Sequence, residues 1–241
     1  MTNINMETYS ELKEGLARLG FKKKKGLFVR EQCDALQDLG FIYATHGEKQ
    51  TRYYNPICGF SYPEASSIAE KIGVMLADTG GNIGYLIPQR SLFFRAPIYQ
   101  FLEWRICAND SEEQVHKTIN DLLFRIEKYV IPYFDEFKTK EAFIKILDSN
   151  PQKITFFYDR KLPPILYYLL GRSQDALRYT QYMLDLYKKQ EEGKENGTII
   201  KNTNEYKDII VSGGSNYKVY RDFADKFILE KISGTVCPAD S

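Results

Sequence analysis

Only two histidines, His46 and His116, and four scattered cysteines, Cys33, Cys58, Cys107 and Cys237, are available for metal or nucleophile chemistry. A zinc or redox motif needs thiols in close C-x-x-C spacing, and this chain has none. Two histidines are too few for a histidine-based metal cluster, and no carboxylate-rich loop has EF-hand spacing. His116 shares a helical register with Glu113, Lys117 and Asn120 and is expected on a solvated face; His46 is expected at an exposed hairpin tip. Cys33, Cys58 and Cys107 read as buried structural thiols. No G-x-S-x-G elbow is present. Gly80-Gly-Asn-Ile-Gly84 and Ser212-Gly-Gly-Ser215 lack both the phosphate-loop lysine and G-x-G-x-x-G spacing, so both are expected to be turns. Neither a cofactor nor a metal is expected.

Two groups of residues are better suited to binding. Lys22–Lys25, flanked by Phe21 and Phe28, could neutralise phosphates. Nonspecific nucleic-acid binding draws on many such contacts, however, and Glu31 and Asp34 stand close by. With 33 basic and 32 acidic residues the formal charge is +1. That balance gives nucleic acid or an anionic membrane no general hold, and the lysine run reads as a solvated hairpin turn. Arg90, Phe93, Phe94, Arg95 and Tyr99 crowd a stretch bounded by Pro88 and Pro97, read as a loop. Arginine and aromatic side chains dominate interface hot spots, so these five are the candidate contact residues for a protein partner. The competing structural reading buries Phe93 and Phe94 in the core and pairs the arginines with nearby acids.

The elements that must position these residues change character along the chain. Tyr9, Leu12, Leu16 and Leu19 recur at helical spacing and end at Gly20. Leu27-Phe-Val-Arg-Glu31, Leu36–Thr45 and Thr51–Phe60 are aromatic and β-branched, separated by turn-formers, and predict an antiparallel meander. In the second strand Leu39, Phe41, Tyr43 and Thr45 alternate with Gly40, Ile42 and Ala44, so both faces are largely apolar or small, as in a central strand. Pro63–Leu76 predicts a helix, and Ile83–Ile87 and Gln100–Ala108 predict two further strands, the second holding Trp104. Ser111 and Gln114 form a capping-box pattern ahead of a stripe from Val115 to Phe137 that Pro132 should kink or break. Helices are expected over Lys140–Leu147, Pro163–Leu170, Ser173–Lys189 and around Val219–Leu229. Residues 190–204 are polar and without periodicity, as in a mobile loop, and Ile209-Ile-Val211 could form a short strand.

The expected fold is therefore α+β: an antiparallel sheet of about five strands packed by helices, with a helical C-terminal extension. Residues 1–138 form the sheet domain with its long packing helix, and 139–241 form the extension. Hydrophobic content of 43% supports a real core, and 18 Tyr and 15 Phe suit half-buried strands and contact surfaces alike. The chain shows no transmembrane-length apolar run and no secretory signal, and its scattered thiols fit a reducing cytoplasm.

Gly20, Phe21, Lys22, Lys23, Phe28, Arg30 and Trp104 carry a resemblance over about residues 9–135. The helix ending in Gly-Phe-Lys-Lys, the Phe-x-Arg strand and the later Trp strand before a long helix resemble the bacterial family called domain of unknown function 4304. The resemblance implies bacterial interaction systems, including immunity to toxins, and no established reaction; the helix-like insert 61–78 departs from it. Separately, Leu170-Gly-Arg-Ser-Gln-Asp-Ala-Leu177 followed by Leu184 resembles the middle of a tetratricopeptide helix pair. One copy does not make the repeated array that such folds need. These readings imply a noncatalytic cytoplasmic binding protein, immunity-like and acting by protein–protein contact. The alternative is an enzyme with a carboxylate or tyrosine site that leaves no sequence motif.

Overall fold

Lys25 and Gly26 both take positive φ, 49° and 86°, the backbone sense of a two-residue hairpin turn that matches strand twist. That hairpin opens a computed structural model that describes residues 5–45, 50–91, 98, 100–151, 154, 158–195 and 216–232. In chain order, the elements begin with α1 (Ser10–Arg18), β1 (Lys22–Lys24), β2 (Leu27–Gln32), β3 (Ala35–Ala44) and β4 (Thr51–Ser61). Next come α2 (Pro63–Lys71), β5 (Thr79–Asn82), α3 (Ile83–Ser91), β6 (Trp104–Cys107) and α4 (Glu112–Arg125). The remainder is α5 (Ile131–Glu136), α6 (Lys140–Ser149), α7 (Leu162–Leu169), α8 (Ser173–Glu195) and α9 (Asn216–Phe227). The fold is α+β, as the strand-like and helix-like periodicities predict.

Strands β1 to β4 form an antiparallel meander, and β3 is a central strand. The outer edge of β4 is shared: β5 pairs with Ile57–Phe60 and β6 with Thr51–Tyr54. Asn55 and Pro56 fall between them, and Pro56 has no N–H to offer a neighbour there. At the opposite edge β1 is three lysines, a charged strand that discourages further pairing. Lys22–Lys24 is thus strand rather than turn, with Lys23 bonded to Glu7 at 2.7 Å.

Two further expectations give way to packing. Gly80–Asn82 is strand, because a Cβ at Gly80 would lie 2.7 Å from the Cys58 carbonyl oxygen and only glycine lets the backbones approach so closely. Ile83–Ile87 is helix, in α3, which contains Pro88. A proline cannot bond the carbonyl four residues back; here that carbonyl, Gly84, accepts from Leu102 N at 3.2 Å instead. Asn82 Oδ1 accepts from Gly84 N at 2.6 Å at the start of α3.

The capping box forms as read: Ser111 Oγ accepts from Gln114 N and Gln114 Oε1 accepts from Ser111 N. Val115, Ile119, Leu122, Ile126, Val130, Phe134 and Phe137 are all buried. Ahead of Pro132 the helix widens into a π turn over Ile126–Val130, closed by Ile131 N to Ile126 O, before α5 resumes. This helical run covers one sheet face. Phe60 stacks on Phe137 at 5.4 Å, and the Tyr62 hydroxyl donates to Phe137 O at 2.7 Å. Arg30, buried, donates to Gln37 Oε1 at 2.7 Å and to Asp135 at 3.2 Å, while Gln37 Nε2 donates to Phe134 O. The buried guanidinium is thereby paired and bonded, as a desolvated charge requires.

The chain divides into two compact units: Met1–Tyr62 with Asp78–Thr139, and Pro63–Ala77 with Lys140–Ile154 and Tyr158 onward. The segment Pro63–Ala77, expected in the sheet domain, clusters with the second unit. There Lys140 pairs with Glu64 at 2.5 Å, and Ala77 N donates to Asp159 at 3.1 Å. The α7–α8 turn is closed by Gly171 at φ 72°, with Arg172 N donating to Tyr167 O and Gly171 N to Tyr168 O. These two bonds satisfy the last carbonyls of α7. Helix α8 reaches Glu195, into the segment expected as a loop; 196–204 and Ile209–Val211 lie outside the described residues. On α9, Phe223 and Phe227 are buried, but Val219 and, in the turn that follows, Leu229 are exposed.

Candidate functional site

Strand alternation sorts the sheet residues into two faces, and the register identifies them. Phe28, Leu39, Phe41, Cys58 and Phe60 point to the helix-packed side and are buried. The other face carries Leu27, Val29 and Glu31 from β2, and Leu36, Asp38, Gly40 and Ile42 from β3. From β4 and β5 come Tyr53, Asn55, Ile57, Gly59, Gly80 and Asn82, and from β6 Arg105. Val29, Leu36 and Ile57 are half-buried; Leu27 is 38% and Ile42 52% exposed. An apolar stretch on the open side of a rigid sheet is the kind of surface that marks an interaction site.

Asp38 sits in the middle of this face. Its cross-strand neighbours are Gly59 and then Gly80, so nothing tall stands beside it on β4 or β5. The carboxylate leans over that glycine floor: a Cβ at Gly59 would lie 3.2 and 3.4 Å from its two oxygens and 3.3 Å from Thr79 O. One row along, Leu27 and Ile57 close over Gly40, where a Cβ would meet both at 3.0 Å. Among the described residues no hydrogen bond or ion pair holds the Asp38 carboxylate. Desolvation, with Asp78 adding repulsion, pushes its pKa up to about 6.

At one end of the sheet, Tyr43, 49% exposed, packs its ring 5.7 Å from that of Tyr54, and the Arg52 guanidinium lies 4.1 Å over the Tyr43 ring. Such an arginine–aromatic stack combines a flat apolar surface with fixed charge.

Of the five expected contact residues, Arg90 is the one among the described residues. Arg90 is in α3, buried, paired through both terminal nitrogens with Glu136 and lying 5.4 Å over the Tyr133 ring. A side chain so enclosed is not a surface contact, which corrects its reading; its acid comes from 46 residues away. Phe93, Phe94, Arg95 and Tyr99 lie outside the described residues, as do His46 and Cys237. His116, expected in solvent, is half-buried and paired with Glu11 and Glu112, with the Tyr9 ring edge-on at 6.3 Å. Cys58 is buried, but Cys107 is half-buried and Cys33 exposed, on a turn with φ 52°. No group of three potential metal ligands occurs among the described residues.

Sequence reading passed over Asp38, Tyr43 and Arg52. The available signal was an acid at the centre of an otherwise apolar or small alternating set, Leu36, Gly40 and Ile42. The second unit has a groove of about 590 Å³ lined by Glu141, Lys145, Asp148 and Arg172, among others. Two of these charges are engaged with each other: Asp148 accepts from the Tyr167 hydroxyl and from both Arg172 terminal nitrogens, and Arg172 also bonds Asp175. A carboxylate saturated by fixed donors is poorly placed to act as a base. No family model, no curated protein and no solved structure matches the chain.

Proposed function

We propose that this chain is a noncatalytic binding protein that engages a protein partner through the open face of its sheet. The observation that carries the reading is the exposure of Leu27 and Ile42 on a face whose reverse side is the core. Half-buried Val29, Leu36 and Ile57 extend the same apolar surface, and exposed Arg105 on the same face supplies a residue type that anchors interfaces. The resemblance to the domain of unknown function 4304 family supports an immunity-like role. A cytoplasmic setting is supported by the free thiols of Cys33, Cys58 and Cys107. Among the described residues no helix is long and apolar enough to cross a membrane.

Asp38 favours a second reading, a carboxylate enzyme, because a carboxyl titrating near neutrality suits proton transfer. Against it, the carboxylate stands on an open strand face rather than in a water-excluding cleft.

The test is capture of partners after crosslinking in host cells, comparing the wild-type chain with Ile42→Glu, Leu27→Glu and a distant control, Lys188→Glu. A glutamate in the contact face should reduce capture of a wild-type partner about tenfold or more, and the control should not. Equal capture by all four proteins removes this reading.

A further inference from the structure

We propose that the glycine-floored trough at Asp38 is a receptor for one basic side chain, lysine or arginine, presented by the protein partner. The inference rests on the protein-binding reading above and deepens it by naming the chemistry the partner must bring.

Three observations converge on that occupant. The first is the shape of the row Val29–Asp38–Gly59–Gly80, which crosses β2 to β5 on the open face. Asp38 is the only carboxylate in it, and the two positions beyond have no side chain, leaving a shallow slot beside the acid. The second is chemical. The atoms nearest the Gly59 Cβ position are the two carboxylate oxygens and the Thr79 carbonyl oxygen, all acceptors, within 3.2 to 3.4 Å. A donor with several hydrogens suits such a set, and ammonium and guanidinium groups have three and five. The third is the rim. Val29, Leu36 and Ile57 are half-buried apolar neighbours on the same face, suited to the methylene stem of lysine or arginine while its head meets the acid.

Charge points the same way. Asp78 adds a second negative group near Asp38, and Glu31 is exposed on the same face. Lys22 occupies the same row on β1, two strands away, at about 10 Å from strand spacing. It makes no ion pair with Asp38 among the described residues. Half-burial of an unpaired carboxylate costs stability in the free protein, and an incoming cation would offset that cost while favouring basic over neutral or acidic partners.

The experiment uses the full chain and two probes, Nα-acetyl-arginine amide and Nα-acetyl-lysine amide, with Nα-acetyl-norleucine amide as the uncharged control. Backbone amide signals of Gly59 and Gly80 are followed by NMR at neutral pH, in the wild type and in Asp38→Asn. Expected are saturable shifts with at least one cationic probe, no saturation with norleucine, and affinity about tenfold or more weaker in Asp38→Asn. The substitution is nearly isosteric and removes a desolvated charge, so it preserves the fold being read. No saturable shift, or equal shifts in wild type and variant, overturns the proposal. So does a rise in the Asp38 titration midpoint in Lys22→Met, which would show the chain's own lysine already filling the trough. Cation binding with partner capture unaffected by Ile42→Glu would fail the protein-binding reading while upholding the receptor. Face-dependent capture without cation binding would fail the receptor alone.

Discussion

Asp38 places a pH dependence on the stability of the first unit. Its folded pKa, about 6, lies above the ordinary carboxyl value of about 3.9. The native state therefore holds this proton more tightly than the unfolded state does. Stability is lost as pH rises between roughly 4 and 6 and stays lower above that window. Asp38→Asn removes the titrating group. At pH 7 the variant should be more stable than wild type by about 1–2 kcal/mol, after allowance for partial solvent screening, and the difference should shrink toward pH 4. Urea melts at several pH values check this, and a difference independent of pH would contradict it. The sequence offered less at this scale than at any other. Arg90 looks like a contact residue until Glu136 is brought to it, and Asp38 looks like one acid among many until Gly59 and Gly80 are set beside it. Both environments are made by residues distant in the chain, which local patterning cannot see.

At the scale of elements, local chemistry was readable wherever the partners are neighbours in sequence. Ser111 and Gln114 are three residues apart, and their reciprocal bonds stand as the pattern implies. Ser111→Ala should cost about 1 kcal/mol by leaving a first-turn N–H without its cap, read as a lowered thermal midpoint. An unchanged midpoint would show the cap to be replaceable by water. The meander was legible from alternation and turn-formers for the same reason. α3 was not, since a segment of nine residues with glycine and an internal proline resembles a strand edge more than a helix. Its proline is tolerated because Leu102, eighteen positions from Gly84, takes the carbonyl that Pro88 cannot serve. Pro132 was legible in effect, and the widened turn in front of it is how the helix accommodates it.

At the scale of the molecule, composition and periodicity sufficed for the α+β class, while the membership of Pro63–Ala77 depends on tertiary packing that its own sequence does not encode. The divided outer edge of β4 has a further consequence, for motion on the slow timescale. β5 and β6 are four residues each, and each pairs only with its own half of β4 among the described strands. Neither ladder has to break for the other to open. Native-state hydrogen exchange should therefore reveal two separate openings, with β5 and β6 amides exchanging through small fluctuations of differing free energy. The β3 amides, bonded on both sides, should exchange only through the highest-energy opening of that unit. A single shared exchange free energy across β3, β5 and β6 would contradict this, and two distinct values would make the margin of the sheet two independently detachable leaves.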